Sequence, residues 1–144
     1  KKVPDLELKE MEQMINLGTH YFLSTPVFDL DVFGKFLKSI ESFRFPVIAE
    51  VILVRSASMA HFINRYVKPG LVPNHIIEKL ARAPDKEKAS QEIFAELIKG
   101  LKDLCQGIHI IPIGALASFS GLRGDLGTAH GFVVMPHRRA KWRH

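Results

Sequence analysis

Three short apolar runs divide the chain, and they lie between stretches in which apolar residues recur every three or four positions. The runs cover residues 20–23, 47–54 and 107–114, which are the lengths of buried strands, and residues 24–26 (Ser-Thr-Pro) are expected to form a functional turn. The intervening stretches have the periodicity of amphipathic helices and are long enough for crossovers between parallel strands. The pattern predicts an α/β protein with the order α-β-α-β-α-α-α-β.

Helix boundaries are predicted from residues that cap or break helices. Side chains able to cap an N-terminus precede the first three helices, namely Asp5, Asp29 or Asp31, and Ser56 or Ser58. Gly18 ends the first helix, and breaks at residues 68–70 and 83–85 separate the last three helices. The fifth helix is expected to cover about residues 85–105.

The last part of the chain differs from the rest in pattern and charge. After Gly114 the helical periodicity is lost until residues 132–135, a candidate short strand. Residues 116–144 carry five Lys or Arg against Asp125 alone, so this segment holds +4 of the net charge of +5. We therefore divide the chain into a domain of residues 1–115 and a basic, irregular extension of residues 116–144.

Composition narrows the classes of function. Apolar residues make up 47% and charged residues 24%, as in soluble globular domains, and no apolar run is long enough to cross a membrane. The single Cys105 excludes an internal disulfide, and a cytoplasmic location is expected. The basic extension does not by itself predict nucleic-acid binding, because no aromatic interleaving accompanies its charge. No spacing of His, Asp or Glu resembles a set of metal ligands.

Three segments carry a family resemblance when they are taken together: HYFLSTPVFD (residues 20–29), FPVIAEVILVRS (45–56) and GIHIIPIG (107–114). The first resembles a late barrel strand and turn of the methylenetetrahydrofolate reductase family, which commonly reads hydrophobic-Thr-Gln-Pro-hydrophobic-Phe-Asp. The second resembles the family's next strand, and the third resembles its last. The resemblance runs in order from about residue 5 to residue 114 and covers only the C-terminal part of such an enzyme.

The resemblance implies a partial (β/α)8 TIM barrel, made of its last three parallel strands with flanking helices. In that family FAD lies across the carboxyl ends of the strands and passes a hydride from NADH or NADPH to 5,10-methylenetetrahydrofolate. The product is 5-methyltetrahydrofolate, which serves one-carbon and methionine metabolism. FAD and NAD(P)H are thus the implied cofactors, and a folate is the implied substrate. Three strands cannot close a barrel, so we expect either that this chain is a fragment of the barrel without its first half, or that a second copy, another chain or the extension covers the open sheet.

No catalytic residue is expected in this chain, because the resemblance implies that the general-acid glutamate and the flavin-tuning aspartate lie on earlier strands. The candidates that remain belong to the folate side of the site: Ser24, Thr25, Phe28, Glu50, Arg55 and Ser56. Arg55 and Ser56 follow the second strand, where a guanidinium group could meet the glutamate tail of a folate or a phosphate. His20 and His109 are interpreted as structural, since each is expected at or inside the start of a strand, at the end of the sheet away from the expected site.

Three positions depart from the family pattern. Thr25 stands in place of a glutamine whose amide could pair with the pterin, and Glu50 and Leu53 stand in place of a glycine and a proline. A carboxylate within a strand must be paired, protonated or open to water, so Glu50 is either a new site residue or a sign of relaxed function. The alternative function is therefore a catalytically inactive barrel fragment that acts as a binding or partner subunit.

Overall fold

The computed structural model of the protein describes residues 5–111 together with residues 132 and 133, and these form one sheet with helices packed against it. The strands are β1 (Phe22–Pro26), β2 (Val47–Ile52), β3 (Gly107–Ile111) and β4 (Phe132–Val133). They lie side by side in the order β1-β2-β3-β4, with the first three parallel and β4 antiparallel to β3. The prediction of an α/β fold with three parallel strands is confirmed.

The helices follow the predicted order. They are α1 (Asp5–Asn16), α2 (Leu30–Ser39), α3 (Ala57–Tyr66), α4 (Asn74–Arg82) and α5 (Lys86–Leu101), with a 3-10 turn at Glu41–Phe43. The side chains of Asp29, Ser56 and Asp85 cap α2, α3 and α5 by accepting hydrogen bonds from backbone amides three residues on. The alternative caps, Asp31 and Ser58, lie inside the helices. Among residues 5–111, no helix is both long enough and apolar enough to span a membrane.

Both crossover connections pack on the same face of the sheet. The main core joins Val47, Ala49 and Val51 of β2 to Phe33 of α2 and Leu97 of α5. Because α2 leads from β1 to β2 and α5 leads into β3, the chain winds across the sheet in one direction, without the reversal that marks doubly wound sheets. This winding is compatible with a barrel, although an open sheet of three parallel strands does not close one.

A second apolar cluster gathers at the carboxyl ends of β1 and β2. It contains Phe28, Ile52 and Val54 from the strand ends and Ile63 and Leu80 from α3 and α4. The helical pair between β2 and β3 therefore supports the strand ends from which the candidate site loops depart.

Several boundaries differ from the prediction. β1 begins at Phe22 and continues through residues 24–26, so the assignment of these three residues to a turn is wrong. The register between β1 and β2 shifts within this segment, between Leu23 and Pro26. α5 ends at Leu101, before the expected residue 105, and β2 ends at residue 52 rather than 54.

The outer edges of β3 and β1 differ in whether a described strand pairs with them. Of the extension at residues 116–144, only 132 and 133 are among the described residues, and they pair with Ile108 and His109 at the outer edge of β3. Within the described part of the chain, no strand pairs with the outer edge of β1. The predicted division at residue 115 lies outside the described residues and stays a prediction.

Candidate substrate site

A carboxylate and an imidazole meet on the side of the sheet opposite the main core. Side chains alternate along a strand, so Glu50 points away from the face on which Ala49 and Val51 pack. Glu50 of β2 and His109 of β3 are register partners, and His109 Nδ1 lies 3.6 Å from Glu50 Oε2. The Glu50 side chain is 16% exposed and the His109 side chain 23%. The carboxylate and the imidazole are thus both largely withdrawn from water.

The backbone of Glu50 is held from the other side by β1. Its N–H donates to Ser24 Oγ at 3.1 Å, and its carbonyl accepts a hydrogen bond from the Val27 N–H at 2.8 Å. The Ser24 hydroxyl in turn donates to the Thr25 carbonyl at 2.8 Å. The Ser24 oxygen therefore supplies an acceptor for the Glu50 amide where the register between the strands shifts. Ser24 and Glu50, two predicted site residues, are brought together by this contact.

Thr25 and Phe28 have different surroundings. Thr25 is exposed in β1, whereas Phe28 is only 7% exposed and belongs to the second apolar cluster. Phe28 also lines a groove of about 410 Å³ between the start of α2 and the helices α4 and α5, with Asp29 and His75 among its other lining residues. Lys79 in this groove lies 3.9 Å from a carboxylate oxygen of Glu92 and 3.8 Å from one of Glu96. Phe28 thus takes part in the packing at the strand end.

Arg55 and Ser56 lie beyond the carboxyl end of β2, at the N-terminus of α3. Ser56 Oγ accepts a hydrogen bond from the Met59 N–H at 3.1 Å, so its hydroxyl serves as the helix cap. Among residues 5–111, no carboxylate lies within ion-pair distance of the partly buried Arg55. A guanidinium group in this position suits an anionic ligand. No group of three or more His, Cys, Asp or Glu in the described residues could hold a metal ion.

The contact between Glu50 and His109 is the feature that the sequence does not reveal. β3 begins at Gly107 as predicted, so His109 is its third residue, but the sequence does not predict that His109 lies opposite Glu50. The contact would follow from the correct alignment of the two apolar runs. When Ile48 is paired with Gly107, Glu50 lies opposite His109. The two runs alone do not specify that alignment, because strands joined by a long crossover can pair in more than one register.

The fold and this site define a parallel α/β chain that winds in one direction and carries a polar pair on the face opposite its crossover helices. A model of the methylenetetrahydrofolate reductase family matches residues 1–117. The chain therefore belongs to the methylenetetrahydrofolate reductase family, and the predicted family is confirmed. No curated protein sequence matches the chain. Membership indicates an oxidoreductase of folate chemistry at the level of the family, which is generally flavin-dependent.

Proposed function

We propose that this chain forms the last part of the (β/α)8 barrel of a methylenetetrahydrofolate reductase. Residues 1–115 would supply strands six to eight of the barrel, and residues 116–144 a basic extension. The observation that carries the proposal is the Glu50–His109 pair on the sheet face away from the crossover helices. In a barrel that face lines the interior, and the carboxyl ends of the strands open onto the substrate. The reaction would reduce 5,10-methylenetetrahydrofolate to 5-methyltetrahydrofolate with NADH or NADPH in the cytoplasm.

The chain would contribute the folate wall of the active site. The proposed substrate contacts are Ser24, Thr25, Phe28, Glu50, Arg55 and Ser56. Glu50 would meet polar atoms of the pterin ring, while Ser24 fixes the backbone behind it. Arg55 would meet the anionic tail of the folate at the N-terminus of α3, where Ser56 holds the helix start in place. These residues bind and orient the folate, and none of them is assigned the hydride transfer.

FAD would supply the hydride-transfer chemistry when it is bound. The described residues fit only part of such a cofactor. Arg55, which has no carboxylate partner among residues 5–111, suits a phosphate group as well as a folate tail. The remaining contacts to FAD and to the nicotinamide cofactor would come from parts of the barrel other than these three strands.

The outer edge of β1 would pair with a further strand, supplied by a second copy or by another chain. Support comes from the open backbone edge of β1 within the described residues. Two apolar side chains at this edge also face solvent, since Tyr21 is 51% exposed and Leu23 is 47% exposed. An uncovered strand edge with apolar side chains is a template for strand addition.

Visible absorption spectroscopy tests the proposed function. The purified chain is mixed with FAD, separated from free flavin by gel filtration, and titrated with 5-methyltetrahydrofolate. The expected result is retained flavin whose absorption band shifts with the folate and is bleached by NADH or NADPH without oxygen. Failure to retain flavin, together with no response to the folate, would overturn the proposal.

The alternative is a catalytically inactive barrel fragment that acts as a binding or partner subunit. It is favoured by Glu50 and Thr25, which stand where the family pattern commonly has glycine and glutamine. The same titration separates the two functions. Folate binding without bleaching of flavin by either nicotinamide cofactor would support the alternative.

A further inference from the structure

We propose that Glu50 and His109 together recognise the amino-pyrimidinone edge of a pterin ring. Glu50 accepts the hydrogen bonds of the ring, and His109 is the positioning residue that holds the carboxylate. This inference rests on the proposed function, because it names the part of the folate that the pair meets. The carboxylate and the imidazole that would recognise the ring lie on the neighbouring strands β2 and β3.

The pair is not needed to hold β2 against β3. Five consecutive register pairs, from Ile48–Gly107 to Ile52–Ile111, already join the two strands. The distance of 3.6 Å between His109 Nδ1 and Glu50 Oε2 exceeds the roughly 2.7–3.2 Å of an N–H···O hydrogen bond. A contact of this length adds little to a continuous backbone ladder, so the five register pairs join β2 to β3 without it.

The Glu50 carboxylate retains capacity to accept hydrogen bonds. A carboxylate offers about four acceptor positions on its two oxygens. Among residues 5–111, His109 is the only basic residue whose side chain lies within ion-pair distance of it. The Glu50 side chain is only 16% exposed, so water has limited access to the remaining positions. Two N–H donors from a ligand would therefore offset the cost of withdrawing this charge from water.

A carboxylate of this kind selects a ligand edge with two adjacent N–H donors. The pterin ring of a folate presents its N3–H and its 2-amino group side by side, so both can donate to one carboxylate as a guanidinium group does. Ser24 and Val27 hold the Glu50 backbone from β1, while His109 lies against Oε2 from β3. The carboxylate is thus oriented before the ligand arrives, which lowers the entropy lost on binding.

Two ring compounds that differ in one group test this inference. Pterin carries the 2-amino donor, whereas lumazine carries a carbonyl oxygen at that position, which a carboxylate repels. Dissociation constants of both are measured with the full chain by fluorescence titration. The wild type is expected to bind pterin at least about tenfold more tightly, the equivalent of one charge-assisted hydrogen bond. Glu50→Gln is expected to lose or reverse this preference, because its amide can donate to the lumazine carbonyl.

The role of His109 is tested by the same ratio of the lumazine and pterin dissociation constants. His109→Gln is expected to reduce the preference for pterin roughly threefold, since the carboxylate loses the group that restrains it. His61→Gln and Glu78→Gln make the same changes at exposed positions on α3 and α4 and should leave the ratio unchanged. Thermal unfolding verifies that each variant is folded. If Glu50→Gln does not fold, the ratio of the lumazine and pterin dissociation constants of the wild type still tests whether pterin is preferred.

The outcomes distinguish this inference from the proposed function. If 5-methyltetrahydrofolate binds but pterin is not preferred over lumazine, the recognition assigned to Glu50 and His109 is overturned and the folate function stands. The same holds if Glu50→Gln keeps the wild-type ratio. If neither the folate nor pterin binds, both the inference and the proposed function fail.

Discussion

Ser90 of α5 donates a hydrogen bond from Oγ to the backbone oxygen of Val54 at 2.7 Å, between residues 36 positions apart in sequence. Ser90 is 3% exposed and Val54 is 6% exposed, so the bond is formed away from water. Val54 directly precedes Arg55, the proposed contact for an anionic tail. The longest helix of the described residues is thereby attached to the segment that presents this side chain.

Ser90→Ala is expected to lower the free energy of unfolding by about 1–3 kcal/mol, because the buried Val54 carbonyl loses its partner. Urea denaturation followed by circular dichroism measures the change. Ser58→Ala, at an exposed position on α3, is the matched control and should alter stability by less than about 0.5 kcal/mol. Equal effects of the two substitutions would show that the Ser90 hydrogen bond makes no net contribution.

Two glycines should respond to alanine in opposite directions. Gly70, between α3 and α4, has φ of +71°, a left-handed conformation that costs alanine about 1 kcal/mol or more. Gly34 lies inside α2, and a Cβ there would meet nothing within 4 Å. Gly34→Ala should therefore raise the free energy of unfolding by up to about 1 kcal/mol, since alanine favours the helix. Denaturation curves that move in the same direction for both variants would contradict this prediction.

Burial raises the pKa of the Cys105 thiol, against the opposing effect of backbone hydrogen bonds with Ala49 and Gly107. The thiolate is the reactive form, so an alkylating reagent should modify the folded chain more slowly than the unfolded chain at the same pH. The unfolded chain loses the thiol proton at a lower pH than the folded chain. The stabilising contribution is therefore complete below the ordinary thiol pKa and is lost as pH rises through the folded-state pKa.

Cys105→Ala should remove this component of the pH dependence. The free energy of unfolding of wild type and variant is measured between about pH 7 and pH 10, a range that includes the ordinary thiol pKa. The wild type should lose more stability than Cys105→Ala across this range. Identical slopes, or faster alkylation of the folded chain than of the unfolded chain, would rule out a raised pKa.

Arg55→Gln should weaken binding of 5-methyltetrahydrofolate roughly fivefold, because the anionic tail loses a charge-assisted contact. Binding of pterin, which has no tail, should stay the same. Arg65→Gln removes a charge from an exposed position on α3, where the guanidinium group lies 5.4 Å from the centre of the Tyr66 ring, and should have little effect. Fluorescence titrations at low and high salt measure these affinities, and the Arg55 effect should shrink with salt. An equal loss for pterin would contradict a contact with the tail.

The helices could be predicted because their ends depend on neighbouring residues. The caps at Asp29 and Ser56 and the breaks at residues 68–70 and 83–85 act over three or four positions, and the structure confirms them. The choice between Asp29 and Asp31 remained open in the sequence, since both are able to cap a helix that starts nearby. The structure decides between them, because Asp29 is extended and its side chain accepts the hydrogen bond from the Val32 N–H, whereas Asp31 lies inside α2.

Contacts between strands could not be predicted in the same way. Residues 24–26 have the composition of a turn, yet β1 continues through them because the Ser24 hydroxyl takes up the amide of Glu50, 26 residues away. The sequence indicates Glu50 as a candidate, because a carboxylate interrupts an apolar run. The sequence does not indicate His109 as its partner, since their contact depends on the register between β2 and β3. A local pattern does not encode contacts over such separations.

The 3.6 Å gap between Glu50 and His109 spans two strands, while Ser24 and Val27 link Glu50 to a third. The gap therefore depends on how β1, β2 and β3 twist against one another. A strand that added to the open edge of β1 would alter that twist and move the carboxylate relative to the imidazole. The chemical shifts of the His109 ring in an NMR spectrum would thus report whether a strand has added to β1 in solution. They can be measured before any ligand is added.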